Sequence, residues 1–369
     1  MLSWAIRSLL AERGALVASA AGVGLALLLA VVVEGIFAGE AEQIVAYPRL
    51  AGADVWAMQE GVANMHMATS FVHERRVDEV RALPGVAAVE DILYVNGFLE
   101  TAGDEWFVYL VGLRDGGSYG GAWAAKAGAL RPGPGEVVVP EVIAKKSGVG
   151  LGDRVGVADE ELTIVGLSSG TYSMANPVVF MHRSDLGVVL DAPRSTSYLL
   201  VQVDPGVRPA TVATAIESAG LELAAMTRED FVASDRAMAM HMGADVIALM
   251  SGVGTTVAAL LVAFTVYAGV IRRRRELAVA SALGASPRSV LAAVLAQSVI
   301  VTALGYAGAI GFALLLRPLL RVGLPEVTVL FSARSLLEFG GLSLGVALLA
   351  AWIPARRVAR LDPAEAFAG

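Results

Sequence analysis

The sequence predicts a membrane protein with four transmembrane helices and a large extracytoplasmic domain of mixed α/β structure between helices 1 and 2. Its composition is apolar: 56% of the 369 residues are hydrophobic and 17% are charged, against roughly 25% charged residues in soluble domains. Four apolar runs approach the length of about 20 residues that a helix needs to cross a bilayer. The segment from about 38 to 242, which separates the first run from the second, contains no such run.

The four apolar runs divide the chain into alternating segments. The first extends from about Gly14 to Val33 without a charged residue. It exceeds the usual 7–15 apolar residues of a cleavable signal peptide, so we expect an uncleaved anchor. The predicted segments are the N-terminal segment with helix 1 (1–37), the extracytoplasmic domain (38–242), helix 2 (243–271), a cytoplasmic loop (272–288), helix 3 (289–316), an outer loop (317–338), helix 4 (339–355) and a cytoplasmic tail (356–369).

The distribution of arginines predicts the orientation. If the N-terminus is cytoplasmic, so are the loop and the tail, and these three pieces hold ten basic and four acidic residues. Cytoplasmic segments next to membrane spans carry an excess of Lys and Arg. We therefore expect a multi-pass protein of the bacterial cell (inner) membrane with both termini cytoplasmic. The outer-loop residues Arg317, Arg321 and Arg334 argue weakly against this, but the run Arg272–Arg275 directly adjoins a helix end.

The outer domain alternates between strand-like and helix-like segments. Short runs rich in valine and bounded by Gly, Pro or Asp predict the strands. Two strand–helix–strand units are expected, one around Leu83–Val86 and one from Ser197 to Ala225, with a small β insertion at Gly135–Gly166. This predicts an α/β lobe built from the two ends of the domain and a β-rich lobe at about 130–170. The residues from Arg228 to Asp245 are expected to form a helix leading straight into helix 2.

The chain lacks the motifs of an energy-consuming or metal-dependent enzyme. There is no phosphate-binding G-x-x-x-x-G-K-[ST] motif, and the three lysines (Lys126, Lys145, Lys146) all lie in the outer domain. There is no H-E-x-x-H motif and no cysteine, which excludes an iron–sulfur cluster and a cysteine nucleophile. The net charge of −7 argues against nucleic-acid binding. The predicted spans carry no internal charge, unlike ion-coupled transporters. Any energy for movement is therefore expected from another subunit.

The predicted cytoplasmic loop has the features of a short helix between two spans. Gly284 is typical of a helix C-terminus, and Ser286-Pro287 is typical of the N-cap and first position of the next helix. Leu277, Ala280 and Leu283 would line one apolar side. Such a helix could bind in a groove of a cytoplasmic partner. The alternative is a solvated basic turn that only fixes the topology.

The loop and the tail carry a family resemblance. An R-x-R-E motif is followed by A-L-G-A, a helix, and finally P-A-x-R-x-A-R-x-D-P-A-E-A. This pattern resembles the permease subunits of the MacB, LolC/LolE and FtsX class of ABC transporters. The matching residues are Arg273, Arg275, Glu276, Ala282, Leu283, Gly284, Ala285 and Ser286, and in the tail Pro354, Ala355, Arg357, Ala359, Arg360, Asp362, Pro363, Ala364, Glu365 and Ala366. Gln297 departs from the family, in which many members have Glu, but the DevC-like and HrtB-like branches are more permissive at this position. The absence of a fused ATPase separates the chain from MacB itself.

The resemblance implies a permease that is not itself an enzyme and binds no cofactor. A separate cytoplasmic ABC ATPase would bind ATP and Mg²⁺, and a second permease copy or a paralogue would complete the complex. Membrane lipid and, in some complexes, a periplasmic adaptor would be further partners. The implied ATPase-coupling residues are Arg275, Glu276, Leu277, Ala280, Leu283, Gly284, Ala285 and Ser286, and the implied tail motif comprises Pro354, Arg357, Arg360, Asp362 and Pro363.

Two functions are compatible with this resemblance. The first is the export or extraction of a hydrophobic or amphiphilic substrate such as a lipid, lipoprotein, haem or drug-like molecule. The alternative is an FtsX-like regulator that transmits ATPase-driven motion to an extracytoplasmic partner such as a cell-wall hydrolase, without transport. A membrane-anchored enzyme is a third possibility, which no recognised catalytic constellation supports.

Two identical tripeptides suggest a ligand site. Met65-His66-Met67 and Met240-His241-Met242 lie at the two ends of the outer domain. Thioether and imidazole groups suit Cu(I), and Met/His pairs can bind haem iron. The alternatives are that the methionines serve as flexible apolar packing or that both clusters line a groove for an amphiphile.

Overall fold

The computed structural model describes residues 11, 13–66, 68–175, 177–272, 275, 279, 283, 285–324 and 326–358. Its helices are α1 (Arg13–Ile44), α2 (Ala46–Leu50), α3 (Arg76–Arg81), α4 (Glu141–Ser147), α5 (Arg183–Val189), α6 (Pro209–Ser218), α7 (Arg228–Arg272), α8 (Pro287–Gly323) and α9 (Ala333–Val358). The strands are β1 (Val55–Gln59), β2 (Val72–His73), β3 (Val86–Glu100), β4 (Glu105–Leu113), β5 (Ala125–Gly128), β6 (Glu136–Pro140), β7 (Arg154–Val157), β8 (Glu160–Ser168), β9 (Val178–His182), β10 (Ser195–Thr196), β11 (Tyr198–Val203) and β12 (Leu223–Thr227).

The chain forms two compact units. The helical unit comprises Met1–Gly39, Asp245–Leu324 and Thr328–Gly369, and the sheet unit comprises Glu40–Ala244 and Pro325–Val327. Helix α7 contains residues of both units, because it runs without interruption from Arg228 to Arg272. This confirms the expected helix from Arg228 to Asp245 and its continuation into the second apolar run.

Three described helices are long and apolar enough to cross a membrane. They are Arg13–Ile44, Pro287–Leu320 and Ala333–Arg356, which confirms the helical character predicted for spans 1, 3 and 4. All three extend beyond the predicted bounds. The apolar stretch described in α7, Thr256–Arg272, is shorter, so the fourth span stays a prediction.

The core of the helical unit consists mainly of small side chains from four helices. Buried valines and alanines of α1, α7, α8 and α9 form one cluster, which includes Val23, Val262, Val294, Ala309 and Ala351. Helices α1 and α8 meet at two glycines: a Cβ atom on Gly305 would lie 2.7 Å from the Ala20 carbonyl oxygen and 3.0 Å from the Gly24 nitrogen. Such small residues allow helix backbones to approach closely.

The loop that precedes α9 also depends on glycine. The Leu330 N–H donates a 2.8 Å hydrogen bond to the Gly35 carbonyl of α1. A Cβ atom on Gly39 would lie only 1.7 Å from the Thr328 carbonyl oxygen. Gly35 and Gly39 lie four residues apart on one face of α1. Because neither has a side chain, the loop backbone can approach α1 more closely than it could at any other residue.

The sheet unit contains a split βαβ arrangement at one end of its main sheet. The strand order there is β12-β1-β11-β3, and each adjacent pair is antiparallel. Strands β1 and β3 are therefore parallel with β11 between them, and α3 lies in their connection. In the same way β11 and β12 are parallel with β1 between them, and α6 connects them. Both predicted strand–helix–strand units occur, and their interleaving matches the ferredoxin-like motif.

The residues between β3 and β11 extend the same sheet. The order continues through β4, β9, β6, β8 and β5, so the sheet runs without a break across the regions predicted as two lobes. Each end of the sheet nevertheless has buried clusters of its own. Val89, Leu199 and Ile216 belong to the cluster at the ferredoxin-like end, and Val137 and Ile164 to the cluster at the other end.

Candidate functional site

The predicted coupling segment displays exposed apolar residues. Of its predicted residues, Arg275, Leu283, Ala285 and Ser286 are described, while Glu276, Leu277, Ala280 and Gly284 lie outside the described residues. The Leu283 side chain is 84% exposed and that of Val279 is 41% exposed. The Leu283 N–H donates to the Val279 carbonyl (3.0 Å), so the two residues are one helical turn apart. Val279 was missed from the sequence, because the apolar side was assigned to Leu277, Ala280 and Leu283.

The segment is fixed at the start of α8. Ser286 is the N-cap, and its side-chain oxygen accepts a hydrogen bond from the Ser289 N–H, with Pro287 in the first turn. This confirms the predicted cap. Ala285 packs against the buried cluster of the helical unit. Ala285 is therefore packed against the helical unit, whereas Leu283, two positions earlier, is exposed.

The tail motif begins inside α9. Pro354 and Ala355 are buried in this helix. The Arg356 guanidinium lies 4.4 Å from the centre of the Trp352 ring, a cation–π contact that suits the end of a span, where an amphipathic ring and a cation meet the interface. Arg357 lies in the last turn of α9, and its side chain is not described. Arg360, Asp362 and Pro363 lie outside the described residues.

The first Met-His-Met tripeptide is packed into the sheet unit. Met65 is buried in a cluster rich in aromatic residues. His66 Nδ1 lies 2.9 Å from Asp235 Oδ1. Both residues thus have packing partners within the protein. Met67 lies outside the described residues.

The second tripeptide lies on α7. His241 is exposed there, whereas the side chains of Met240 and Met242 are outside the description. Among the described residues no group of three His, Cys, Asp or Glu residues could hold a metal ion. Haem or copper binding by the two tripeptides stays a prediction.

A charged network in the sheet unit was not predicted. The Asp91 carboxylate is buried and accepts hydrogen bonds from Arg114 Nε (2.7 Å) and from Arg183 Nη1. Burial lowers the pKa of Arg183, and the neighbouring Asp91 opposes this shift. The network borders a cleft of about 580 Å³. Asp91 and Arg183, which are hydrogen-bonded to each other, lie 92 positions apart in the sequence. No local sequence pattern predicts a pair at this separation.

Two segments have the G-x-S-x-G spacing of a hydrolase nucleophile, and neither has the required setting. Ser168, within Gly166–Gly170, is buried, and its hydroxyl lies 2.6 Å from Thr171 Oγ1. Ser343, within Gly341–Gly345, donates to the Phe339 carbonyl (2.7 Å) inside helix α9. Neither serine occupies a turn from a strand to a helix, and neither hydroxyl has a histidine among its described partners.

Two family models match the chain. The MacB-like periplasmic core domain matches residues 15–219, which is more than half of the chain. The FtsX-like permease C-terminal domain matches residues 248–363. Together they include most of the sheet unit and of the three long apolar helices, and they leave out residues 220–247.

One relative resembles the chain over its full length, and another over a shorter segment. An uncharacterised ABC transporter permease of Mycobacterium bovis is 26% identical over 379 aligned residues, which cover 100% of both chains. The macrolide export ATP-binding/permease protein MacB of Shigella sonnei is 37% identical over 99 residues, which cover 27% of this chain and 15% of that protein.

The periplasmic region of MacB from Actinobacillus actinomycetemcomitans has 13% identity and a TM-score of 0.37, covering 50% of this chain and 94% of that one. The extracellular domain of the transporter YknZ from Gram-positive bacteria has 11% identity and a TM-score of 0.37, covering 47% and 99%. These scores are low, and the assignment rests on the family models. The chain belongs to the family of ABC transporter permeases that combine a MacB-like periplasmic core domain with an FtsX-like C-terminal domain.

Proposed function

We propose that this protein is the permease subunit of an ABC transporter whose ATP-hydrolysing subunit is a separate chain. It crosses the bacterial cell membrane four times with both termini in the cytoplasm, and it works as a pair with a second copy or a paralogue. ATP and Mg²⁺ bind to the partner ATPase. The outer domain moves in response and expels or extracts a hydrophobic or amphiphilic substrate.

The exposed apolar turn before α8 carries this proposal. Leu283 and Val279 are exposed one turn apart, while Ser286 and Ala285 hold the adjoining helix start in place. Burying one leucine side chain on association is worth about 1.5–3 kcal/mol. An apolar residue held on a fixed element is therefore suited to the groove of a partner, and the family assigns that partner to the class of ABC ATPases.

The requirement for a partner also follows from the sequence. The chain has no phosphate-binding loop, and its three lysines are far along the chain from the coupling segment, at 126, 145 and 146. A nucleotide-hydrolysing subunit must supply the phosphate-binding glycines and lysine. The single helix α7, from Arg228 to Arg272, offers a continuous connection through which displacement could pass between the membrane and the outer domain.

The substrate class rests on the family. The relative from Shigella sonnei is named as a macrolide exporter, and macrolides are large amphiphilic molecules. The spans predicted here contain no internal charge that would support an ion pathway. A hydrophobic or amphiphilic substrate taken from the outer side is therefore favoured over an ion.

Co-purification with the partner ATPase tests the proposal. In membranes that hold both proteins, we expect Leu283→Arg to abolish recovery of the ATPase with the permease, because a charge replaces the apolar anchor. Val188→Arg is the matched control, since Val188 is 66% exposed on α5 of the sheet unit. Full recovery of the ATPase with Leu283→Arg would show that the coupling segment is assigned incorrectly.

A panel of lipids, lipopeptides, haem and macrolides then tests transport. We expect one amphiphile class to raise the ATP hydrolysis rate of the purified complex. A complex that hydrolyses ATP without response to any amphiphile, but responds to a cell-wall hydrolase, would instead indicate the regulatory alternative.

A further inference from the structure

Helix α7 carries a buried carboxylate before it leaves the sheet unit. Asp235 is fully buried, with 0% of its surface exposed. Its Oδ1 atom accepts a hydrogen bond from the Met65 N–H at 2.7 Å and lies 2.9 Å from His66 Nδ1. An imidazole that carries its proton on Nδ1 donates it to this oxygen, which then accepts from both Met65 and His66.

The loop that bears His66 is held from two further sides. The Tyr94 hydroxyl lies 2.9 Å from the Met65 carbonyl oxygen and 2.7 Å from Asn96 Oδ1, two acceptors that share its one proton, and the Tyr198 hydroxyl donates to the Asn64 carbonyl at 3.1 Å. Burial raises the pKa of both tyrosines well above the ordinary value, and Asp235 adds to the shift. Both hydroxyls therefore remain protonated donors, and the loop cannot shift without breaking several buried hydrogen bonds.

Packing on α7 reinforces the polar contact. Phe231 lies one helical turn before Asp235 and stacks on Trp56 of β1, with ring centres 4.8 Å apart at an angle of 20°. Trp56 also packs edge-on against Tyr198 at 5.7 Å. Two successive turns of α7 are thus bound to the sheet unit: Phe231 stacks on strand β1, and Asp235 contacts the loop that follows this strand.

The energetics distinguish this pair from ordinary ion pairs. A buried carboxylate costs several kcal/mol of desolvation unless good partners compensate it, and Asp235 Oδ2 has no hydrogen-bond partner among the described residues. An apolar residue would fill the site at less cost, but it could not bond to both Met65 and His66. A charged residue at this point gives directional attachment, which apolar packing alone does not provide.

We propose that Asp235, with His66, is the attachment that makes the first turns of α7 move as one body with the outer sheet. This inference rests on the proposed function, because only a driven helix needs such an attachment. Asp235 is a positioning residue: it touches neither substrate nor nucleotide, and it determines whether displacement of α7 reaches the outer domain or is lost in bending.

Paired spin labels on the full-length chain test this attachment. The natural sequence has no cysteine, so Glu60→Cys and Ala237→Cys, both at exposed positions, give one labelled pair without background. The distance distribution is measured in nanodiscs without ATPase. We expect one narrow distribution for the natural chain, and a broadened distribution with an added longer-distance population for Asp235→Ala.

The controls separate attachment from general damage. Arg236→Ala removes only the half-exposed pair with Glu42 and should leave the distribution narrow. Asp235→Asn keeps an acceptor oxygen and should restore most of the narrow population. If Asp235→Ala does not fold, His66→Phe decides, because it removes the imidazole donor and leaves the Met65 bond intact. A narrow distribution in the decisive variant would overturn the inference.

The two proposals can fail separately. The label distances do not depend on any ATPase, and ATPase recovery with Asp235→Ala should equal that of the natural chain. A label-distance distribution that stays narrow in Asp235→Ala overturns the attachment and leaves the proposed function intact. Failure of the natural chain to bind an ATPase overturns the proposed function, whatever the label distances show.

Discussion

Glycine has different tasks in the two units. Among the described residues, every glycine with a positive φ lies between 52 and 220, in the sheet unit, where glycines such as Gly85 and Gly148 form turns and end helices. In the helical unit, Gly24 and Gly305 bring two helix backbones together, and Gly35 and Gly39 admit a loop. The sheet unit uses the conformational freedom of glycine, and the helical unit uses its small size.

The two units also differ in where they place large apolar side chains. The sheet unit buries Trp56, Tyr94, Phe180 and other large residues completely. The helical unit buries mainly Val and Ala and exposes large residues such as Leu25 (71%), Phe264 (71%) and Leu349 (74%). This difference is expected when lipid surrounds the helical unit and water surrounds the sheet unit. In lipid an exposed leucine carries no free-energy penalty, and helices associate mainly through close packing.

The largest effect is expected from the buried charges of the sheet unit. Asp91→Ala leaves Arg183 buried without its main partner, which should lower the free energy of unfolding by about 3–5 kcal/mol. Glu161→Ala removes an exposed pair with Arg154 and should cost about 0.2–1 kcal/mol. Urea unfolding followed by tryptophan fluorescence measures both. Equal effects would show that the Asp91 network is not a buried one.

A smaller effect is expected where the helical unit depends on size. Gly305→Leu forces a side chain against the backbone of α1 and should destabilise the unit by about 1–3 kcal/mol. Gly308→Leu is the matched control on the same helix, since nothing lies within 4 Å of its Cβ position. Thermal stability in detergent distinguishes them. Equal loss by both variants would contradict the contact between α1 and α8.

The cap of α8 should contribute less. Ser286→Ala removes the side-chain acceptor for the Ser289 N–H, which should cost about 1 kcal/mol of helix stability. Ser286→Asp keeps an acceptor and adds favourable charge at the helix start, so it should restore the loss. Hydrogen exchange of the first turn of α8 measures the effect. Unchanged protection in Ser286→Ala would mean that the cap does not hold the coupling segment.

The smallest effect concerns the loop between α8 and α9 and depends on pH. A backbone hydrogen bond and Lys146 lower the pKa of Glu326 below its ordinary 4.5. The folded state therefore gains stability above pH 4.5, and this gain is lost as the pH falls through the lowered pKa. The carboxylate is 3.2 Å from Lys146 Nζ and partly exposed, so the contribution is about 0.2–1 kcal/mol.

Glu326→Gln gives the pH test its comparison. The difference in unfolding free energy between this variant and the natural chain should be present at neutral pH and absent in acid. A difference that stays constant across the titration would exclude the ion pair as its source.

Local patterns predicted what local physics controls. Apolar length gave the helical character of α1, α8 and α9, and the Ser286-Pro287 pair gave the start of α8. The interleaving of β1 and β11 within the sheet, and the pairing of His66 with Asp235 across 169 positions, depend on contacts between distant residues. A single sequence shows which residues each segment contains, but it does not show which distant segments are in contact.

The same reason explains the partial prediction of the coupling segment. Helical spacing placed Leu283 on the apolar side, but whether a residue faces the bundle or the solvent depends on the packing of neighbouring helices. Ala285 packs inward, and Val279 is exposed. Exposure of Val279 therefore could not be read from the spacing.

ATP hydrolysis by purified components tests the central claim most directly. The rates to compare are those of this chain alone, of the partner ATPase alone, of the two combined in nanodiscs, and of the combination with Leu283→Arg. We predict no hydrolysis by this chain, a rate for the complex that differs from that of the free ATPase, and a return to the free-ATPase rate with the variant. Hydrolysis by this chain alone, or an identical rate in all ATPase-containing mixtures, would contradict the account.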